Sequence, residues 1–286
     1  MGEDNLKKLK VLVVTVLAAL SMAGCGESKL NDNSIKEEST KVNNTIEYPD
    51  GYDTTSAGAS SFANSGDHED SPYFPQLDVY NLKSTDTLTI ISEFETYQQT
   101  TEVTCGPASA LMVLNHFGEN NYDELEISEL MNCHKDLNGN NTDEPGVANE
   151  QGEIGTSTDR MVSFFEEIGW DVTSSLTEAH EDGYTFYDYN DFKEFIINNL
   201  NNNKPIMVEW IDWAGHWSNI IGYDTMGTES LADDILILAD PYDTSDHAQD
   251  GYHIYPAPRF FYMWLDKNML PEEQSVQQWL IAKPVK

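Results

Sequence analysis

Residues 97–118 read Tyr97-Gln98-Gln99-Thr100-Thr101-Glu102-Val103-Thr104-Cys105-Gly106-Pro107-Ala108-Ser109-Ala110-Leu111-Met112-Val113-Leu114-Asn115-His116-Phe117-Gly118. The apolar positions Ala108, Leu111, Met112 and Val113 fit a buried helix that opens at Cys105-Gly106-Pro107 and stops at Gly118. Proline is tolerated in a first helical turn because its missing N–H would be unpaired there anyway. Cys105 is therefore expected at the helix N-terminus, where the partial positive charge of the aligned peptide dipoles favours a thiolate. The alternative is a buried structural cysteine on a core helix, and the choice turns on whether a base follows downstream.

A base does follow. Pro205 to Trp210 reads as a strand entered from a proline, Gly215 to Asp224 as the next, and Ile235 to Ala239 as a third that ends at Asp240-Pro241. Suppose the last two pair in a hairpin with Tyr223 opposite Asp233. The same register then sets His216 opposite Asp240, close enough for a carboxylate to orient an imidazole, and a loop from Asp224 to Ala232 closes the turn. That register is an assumption of the reading.

The order Cys105, His216, Asp240, with the cysteine on a helix and its partners on a following sheet, resembles a papain-like cysteine peptidase. More narrowly, Gln99 six residues before Cys105-Gly106-Pro107-Ala108-Ser109, then Gly215-His216 leading to Ile221-Gly222-Tyr223-Asp224, then Asp240-Pro241, resembles the bacteriocin-processing double-glycine peptidases, the C39-like family, and their stand-alone secreted relatives. The resemblance spans residues 90 to 266, including Gly155-Thr156 before a helix from Arg160 to Ile168 and an amphipathic segment from Phe192 to Leu200. It implies an α+β papain-like fold in which an N-terminal helix carries the nucleophile and packs on an antiparallel sheet that carries the histidine and aspartate. It also implies the roles: Cys105 as nucleophile, His216 as general base and acid, Asp240 as its orienter and Gln99 as oxyanion-hole donor, with Gln98 the rival for the last. Transporter-linked members carry membrane spans and a nucleotide-binding domain. This sequence has no second hydrophobic span and no P-loop, so cleavage after double glycine does not carry over.

The N-terminus adds a context. Lys7, Lys8 and Lys10 precede the apolar run Val11 to Leu20, and small residues lead to Cys25. Ten residues rise about 15 Å as a helix, half the hydrocarbon thickness of a bilayer, so residues 1–24 read as a signal peptide and not as a span. Ala23-Gly24-Cys25 resembles a bacterial lipobox, which implies lipidation of Cys25 and an exported protein held on the outer face of the cytoplasmic membrane by its acyl chains. Residues 25–71 are polar and acidic with neither helical nor strand period, and are expected to be a disordered tether. Residues 72–286 are expected to form one domain.

Charge limits the partners. Fifteen Lys+Arg against 50 Asp+Glu give a formal charge of −35, and removal of residues 1–24 takes away three lysines and only two acids. Such a surface excludes a general nucleic-acid binder, which needs clustered cations. With 39% hydrophobic and 11% aromatic residues, disorder throughout is excluded too. The expected partners are a peptide or protein substrate and, through the N-terminal lipid, the membrane. Extracellular peptides, surface proteins and cell-wall peptide stems are the candidate substrates.

The remaining residues carry weaker expectations. Trp213 and Trp217, beside His216, are candidates for lining a substrate cleft, although aromatics flanking strands are as often core. His116 lies about 16 Å along the helix from Cys105, too far to serve it as base. Asp136, Asn138 and Asn140 alternate like a calcium loop but lack its glycine and its final glutamate, so a solvated acidic loop is expected. His247 and His253 show no zinc-ligand spacing, and neither metal nor cofactor is expected. Cys133 is expected to be a free, buried thiol. Three functions remain in view: a cysteine peptidase, an amidase or acyl transferase on cell-wall peptides using the same triad, and a binding module that no longer turns over.

Overall fold

A computed structural model describes residues 45–63, 73–74, 77–133, 155–212, 215–246, 248–267, 270 and 272–285. Cys25, Trp213, the acidic loop around Asp136 and His247 lie outside the described residues.

The Cys105 stretch forms a helix as its pattern requires. Helix α2 runs Cys105–His116 and is buried from Cys105 to Leu114. Gly118, at φ +80°, ends it in the left-handed conformation that glycine adopts without a Cβ penalty. Before it come α1, a single turn at Ser60–Ala63, and the short strand β1, Leu88–Ile90. After it comes α3, Glu124–Leu130, opened by a capping box: Asp123 accepts from the Leu125 and Glu126 N–H groups, and Glu126 reaches back to the Asp123 N–H. Helix α4 (Thr158–Glu167), strand β2 (Trp170–Ser174), the turn-length helix α5 (Ser175–Glu178) and helix α6 (Tyr189–Asn201) follow. Strands β3 (Ile206–Trp210), β4 (His216–Asp224), β5 (Ile235–Ala239) and β6 (Tyr252–Pro256), helix α7 (Ala257–Met263) and strand β7 (Gln278–Pro284) complete the order.

The seven strands pair antiparallel in one sheet, ordered β2-β7-β3-β4-β5-β6, with β1 beside the C-terminal half of β4. Side chains alternate across a strand, so neighbouring residues of β3 sort the helices onto two faces. Trp210 packs against Phe260 of α7, and Val208, on the same face, pairs with Trp279, whose ring meets Phe195 of α6. Glu209 points the other way and pairs with Trp217, which lies against the N-terminus of α2. Ser109 of α2 donates to the Trp217 carbonyl at 3.1 Å, and Asn219 donates back to the Ser109 carbonyl at 3.1 Å, fixing α2 across β4. The approach is tight. A Cβ on Gly106 would lie 2.2 Å from Thr156 Cγ2, so any larger residue there has to displace the Thr156 side chain.

The β4–β5 register differs from the expected one. Tyr223 pairs with Leu236, not Asp233, and a bulge at Ile221 resets the pairing so that Ile220 faces Leu238 and Asn219 faces Ala239. The displaced acids show why. Asp234 leaves the strand to sit fully buried beneath the Tyr223 hydroxyl, with the Lys193 ammonium 3.0 Å away. A buried carboxylate with those two partners sets the register more firmly than the loop length does.

The N-terminal boundary also differs. Residues 45–63 were expected to be tether, yet they lie against the domain: Ile46 donates to the Thr96 carbonyl at 2.8 Å, the Tyr48 hydroxyl to the Gln98 carbonyl at 3.0 Å, and Ala59 is fully buried. These anchors are backbone hydrogen bonds and isolated aromatics. They leave no period in the sequence.

Candidate active site

Three elements bring the expected residues together. Cys105 is the first residue of α2, His216 the first of β4, and Asp240 follows the last residue of β5. Extending the observed register by one step sets Asp240 opposite Ser218, so His216 is its diagonal neighbour on the same face, and Nε2 of His216 lies 2.5 Å from Oδ1 of Asp240. The contact expected between the two residues thus forms through a different register. The Cys105 side chain lies near enough to His216 to act on its imidazole. Because Nε2 is held by Asp240, the ring nitrogen left for the sulfur is Nδ1.

The electrostatics favour an imidazolium. Burial of His216, 3% exposed, would lower its pKa, but the charge and hydrogen bond of Asp240, reinforced by Cys105, hold it well above the usual histidine range. Asp240 is the converse: burial would raise its carboxyl, and the imidazoles of His216 and His253 hold it well below the usual carboxylate range. The Tyr242 N–H adds a 2.8 Å bond to Oδ1.

The loop before α2 is stitched to the Asp240 turn. Gln98 Nε2 donates to the Asp240 carbonyl at 2.9 Å, the Gln99 N–H donates to the Pro241 carbonyl at 2.9 Å, and the Tyr242 hydroxyl donates to Glu102 at 3.0 Å. The two candidate glutamines are therefore different in kind. The Gln98 side chain ties the loop to the aspartate, whereas the Gln99 side chain, 1% exposed, donates within its own loop, to the Thr101 carbonyl at 2.8 Å, and its Oε1 has no partner among the described residues.

Trp217 does not line a cleft. It is 2% exposed, its indole N–H donates to the Thr156 carbonyl at 3.0 Å, and its ring fills the space beneath Gly106. Its reach across the sheet toward α2 puts it in the core. His116 is packed between the rings of Phe94 and Phe117, away from the Cys105 end of α2. Cys133 is buried and free, as is Cys105.

Several residues near the site gave no signal in the sequence. Glu124, fully buried at the start of α3, accepts from the Thr100 N–H at 2.9 Å, the Thr100 hydroxyl at 2.6 Å, the Thr104 hydroxyl at 2.5 Å and the Tyr97 hydroxyl at 3.0 Å. It gathers both ends of the Gln99 loop around one carboxyl, whose pKa burial pushes up. Glu209 of β3 is buried, and burial first and the carboxyl of buried Asp266 second raise its pKa well above the usual value. His253 of β6 meets the second oxygen of Asp240. A sequence reading treats lone acids in an acidic chain as solvated, and only the fold reveals these as buried.

A profile of the peptidase C39-like family matches residues 91–266. Among solved structures, the peptidase domain of Streptococcus ComA, a bi-functional ABC transporter involved in quorum sensing, is similar at 19% identity, with 67% of this chain and 99% of that chain covered and a TM-score of 0.38. No curated protein matches the sequence.

Proposed function

Because the chain belongs to the peptidase C39-like family, with its papain-like α+β fold, we propose that it is a cysteine peptidase whose triad is Cys105, His216 and Asp240. The observation that carries the reading is the His216–Asp240 contact of 2.5 Å inside a buried site, with Cys105 at a helix N-terminus acting on the same ring. In the proposed cycle the Cys105 sulfur, paired with the His216 imidazolium, attacks a peptide carbonyl. The imidazolium gives its proton to the leaving amine, and His216 then draws a proton from the water that releases the acyl group as a carboxylic acid. Asp240 keeps the ring in one tautomer and plane. The Cys105 N–H and the Gln99 amide stabilise the oxyanion, Gln99 exchanging the Thr101 carbonyl for the substrate oxygen; loss of such a donor costs about 100-fold or more in rate.

The sequence context extends the proposal to an exported enzyme anchored through lipidated Cys25 and acting on extracellular peptides, surface proteins or cell-wall peptide stems. The test compares wild type with Cys105→Ala on a diverse peptide library and on purified cell-wall peptides, with products identified by mass. A Cys105-dependent product with a new amine and a new carboxylate supports hydrolysis. Products carrying a new amide identify a transferase, and no Cys105-dependent product at all identifies a binding module. Mass analysis of the mature N-terminus tests the anchor, which requires diacylglycerol on Cys25.

A further inference from the structure

Residues 58–62 lie against the Asp240 turn and outside the stretch that matches the family profile. Glu102, three residues before Cys105, joins the two: its Oε1 accepts the Gly58 N–H at 2.9 Å and its Oε2 accepts the Tyr242 hydroxyl at 3.0 Å. Tyr242 is also held at its backbone, where its N–H donates to Asp240 Oδ1 at 2.8 Å. The α1 turn then sets the Phe62 ring edge-on to the Tyr242 ring, with centroids 6.0 Å apart at 67°.

Phe62 is not what holds the segment down. Ala59 is fully buried and Ser60 is 2% exposed, with the Ser60 N–H on the Gln99 carbonyl at 3.2 Å, whereas Phe62 keeps 43% of its surface exposed. A phenylalanine that exposed, on a segment already anchored, adds little to folding. Beside the half-buried Tyr242 it makes an apolar shelf with one charged neighbour, Glu102, the mix of apolar wall and few polar groups that lines ligand sites.

The chemistry decides which part of a substrate meets this shelf. In the proposed cycle the carbonyl oxygen turns toward the Gln99 amide and the Cys105 N–H, and the leaving nitrogen turns toward His216, which protonates it. Asp240 backs His216, and Tyr242 is bonded to the same carboxylate oxygen. The shelf therefore borders the site where the leaving amine departs.

We propose that Phe62 and Tyr242 form the subsite for the first residue on the amine side of the scissile bond, and that they select a large apolar side chain there. The inference rests on the peptidase reading and adds a substrate class to it. An aromatic or branched side chain buries apolar surface against the two rings, and glycine buries none. Because Phe62 precedes residues 91–266, this selectivity is an addition made by the N-terminal segment of this chain.

The test takes the purified full-length protein and a peptide library randomised on both sides of the cleaved bond, with products identified by mass. Pairs are then made from the best-cleaved sequence, differing only in Phe or Gly on the amine side. The Phe peptide is expected to exceed the Gly peptide at least about 10-fold in kcat/KM. Phe62→Ala should cut that ratio below about 3-fold, while Phe62→Leu, which keeps an apolar wall, should retain most of it. The ratio is taken within each protein, so a loss of folded material lowers both rates and cancels. Pairs that differ on the acyl side should keep their wild-type ratio in Phe62→Ala. Cys105-dependent cleavage without an apolar preference, or with a preference that Phe62→Ala leaves intact, overturns the subsite and spares the peptidase. An equal fall in the acyl-side ratio assigns Phe62 to general support and also overturns it. No Cys105-dependent product overturns the peptidase, and the subsite with it.

Discussion

The Gln99 carbonyl accepts the Ser60 N–H at 3.2 Å, and Gly58 lies so close to it that a Cβ there would come within 2.3 Å of the oxygen. Gly58 also has φ +65° and donates its N–H to Glu102 at 2.9 Å. Both its conformation and its neighbours therefore require glycine. Gly58→Ala is expected to shift the Gln99–Thr101 backbone and to cost about 1–3 kcal/mol in denaturant unfolding, with a fall in kcat. Unchanged unfolding and rate would show that residues 45–63 do not support the loop.

Glu124 joins the Thr100 and Thr104 ends of that loop. Glu124→Ala strands one buried N–H and three hydroxyls, and is expected to cost about 3 kcal/mol or more in denaturant unfolding. Glu124→Gln, which keeps the volume and one acceptor oxygen, should fall between. A loss below about 1 kcal/mol for the alanine variant would mean that water replaces the carboxyl without penalty.

The raised pKa of His216 fixes the alkaline limb of activity. The imidazolium is the working form, so kcat/KM is expected to persist above the ordinary histidine pKa of about 6.5 and fall only as the ring loses its proton. Asp240→Asn removes the charge while burial still acts to lower the pKa. The alkaline limb should move to lower pH and the rate should drop about 100-fold or more. A pH–rate profile of both proteins decides it.

Stability carries a second pH dependence. Asp243 is buried and accepts from Ser245 and Gly251; burial, aided by the charge of Asp240, raises its pKa to about 7. A folded pKa above the unfolded one means that its contribution is full below the unfolded value, about 4, and is lost as pH rises toward 7. The shift sets an upper bound of about 4 kcal/mol. Asp243→Asn should flatten the melting temperature against pH over that window. An unaltered slope would assign the dependence to other groups.

The cysteines should separate in reactivity. Burial pushes the Cys133 thiol up to about 12, and its Sγ lies 3.2 Å from the Val103 carbonyl. Iodoacetamide at mildly acidic pH is expected to label Cys105 and spare Cys133, read by peptide mass. Equal labelling would contradict an activated nucleophile.

Periodicity made the frame legible. The apolar spacing after Cys105 and the short strand-like runs at Ile206, His216 and Ile235 correspond to α2, β3, β4 and β5. Their register was not legible, because a bulge at Ile221 and the burial of Asp234 depend on Tyr223 and Lys193 meeting in space. The approach of His216 to Asp240 survived that error because diagonal and direct neighbours share a face. Segment 45–63 was misread because a few anchors within a polar stretch mimic a linker. The sequence leaves Trp217 open between cleft and core because it does not say which face of β4 meets a helix; burial at 2% exposure puts it in the core.

The packing of residues 45–63 shortens a leash. For an enzyme anchored at Cys25 as proposed, the domain is already held at Thr45, where the bridge to Thr96 lies, 20 residues after the anchor. Twenty residues can span at most about 70 Å, against about 160 Å for the 47 residues to residue 72. Such an enzyme would patrol a thin shell next to the bilayer, and substrates deeper in the envelope would have to come to it.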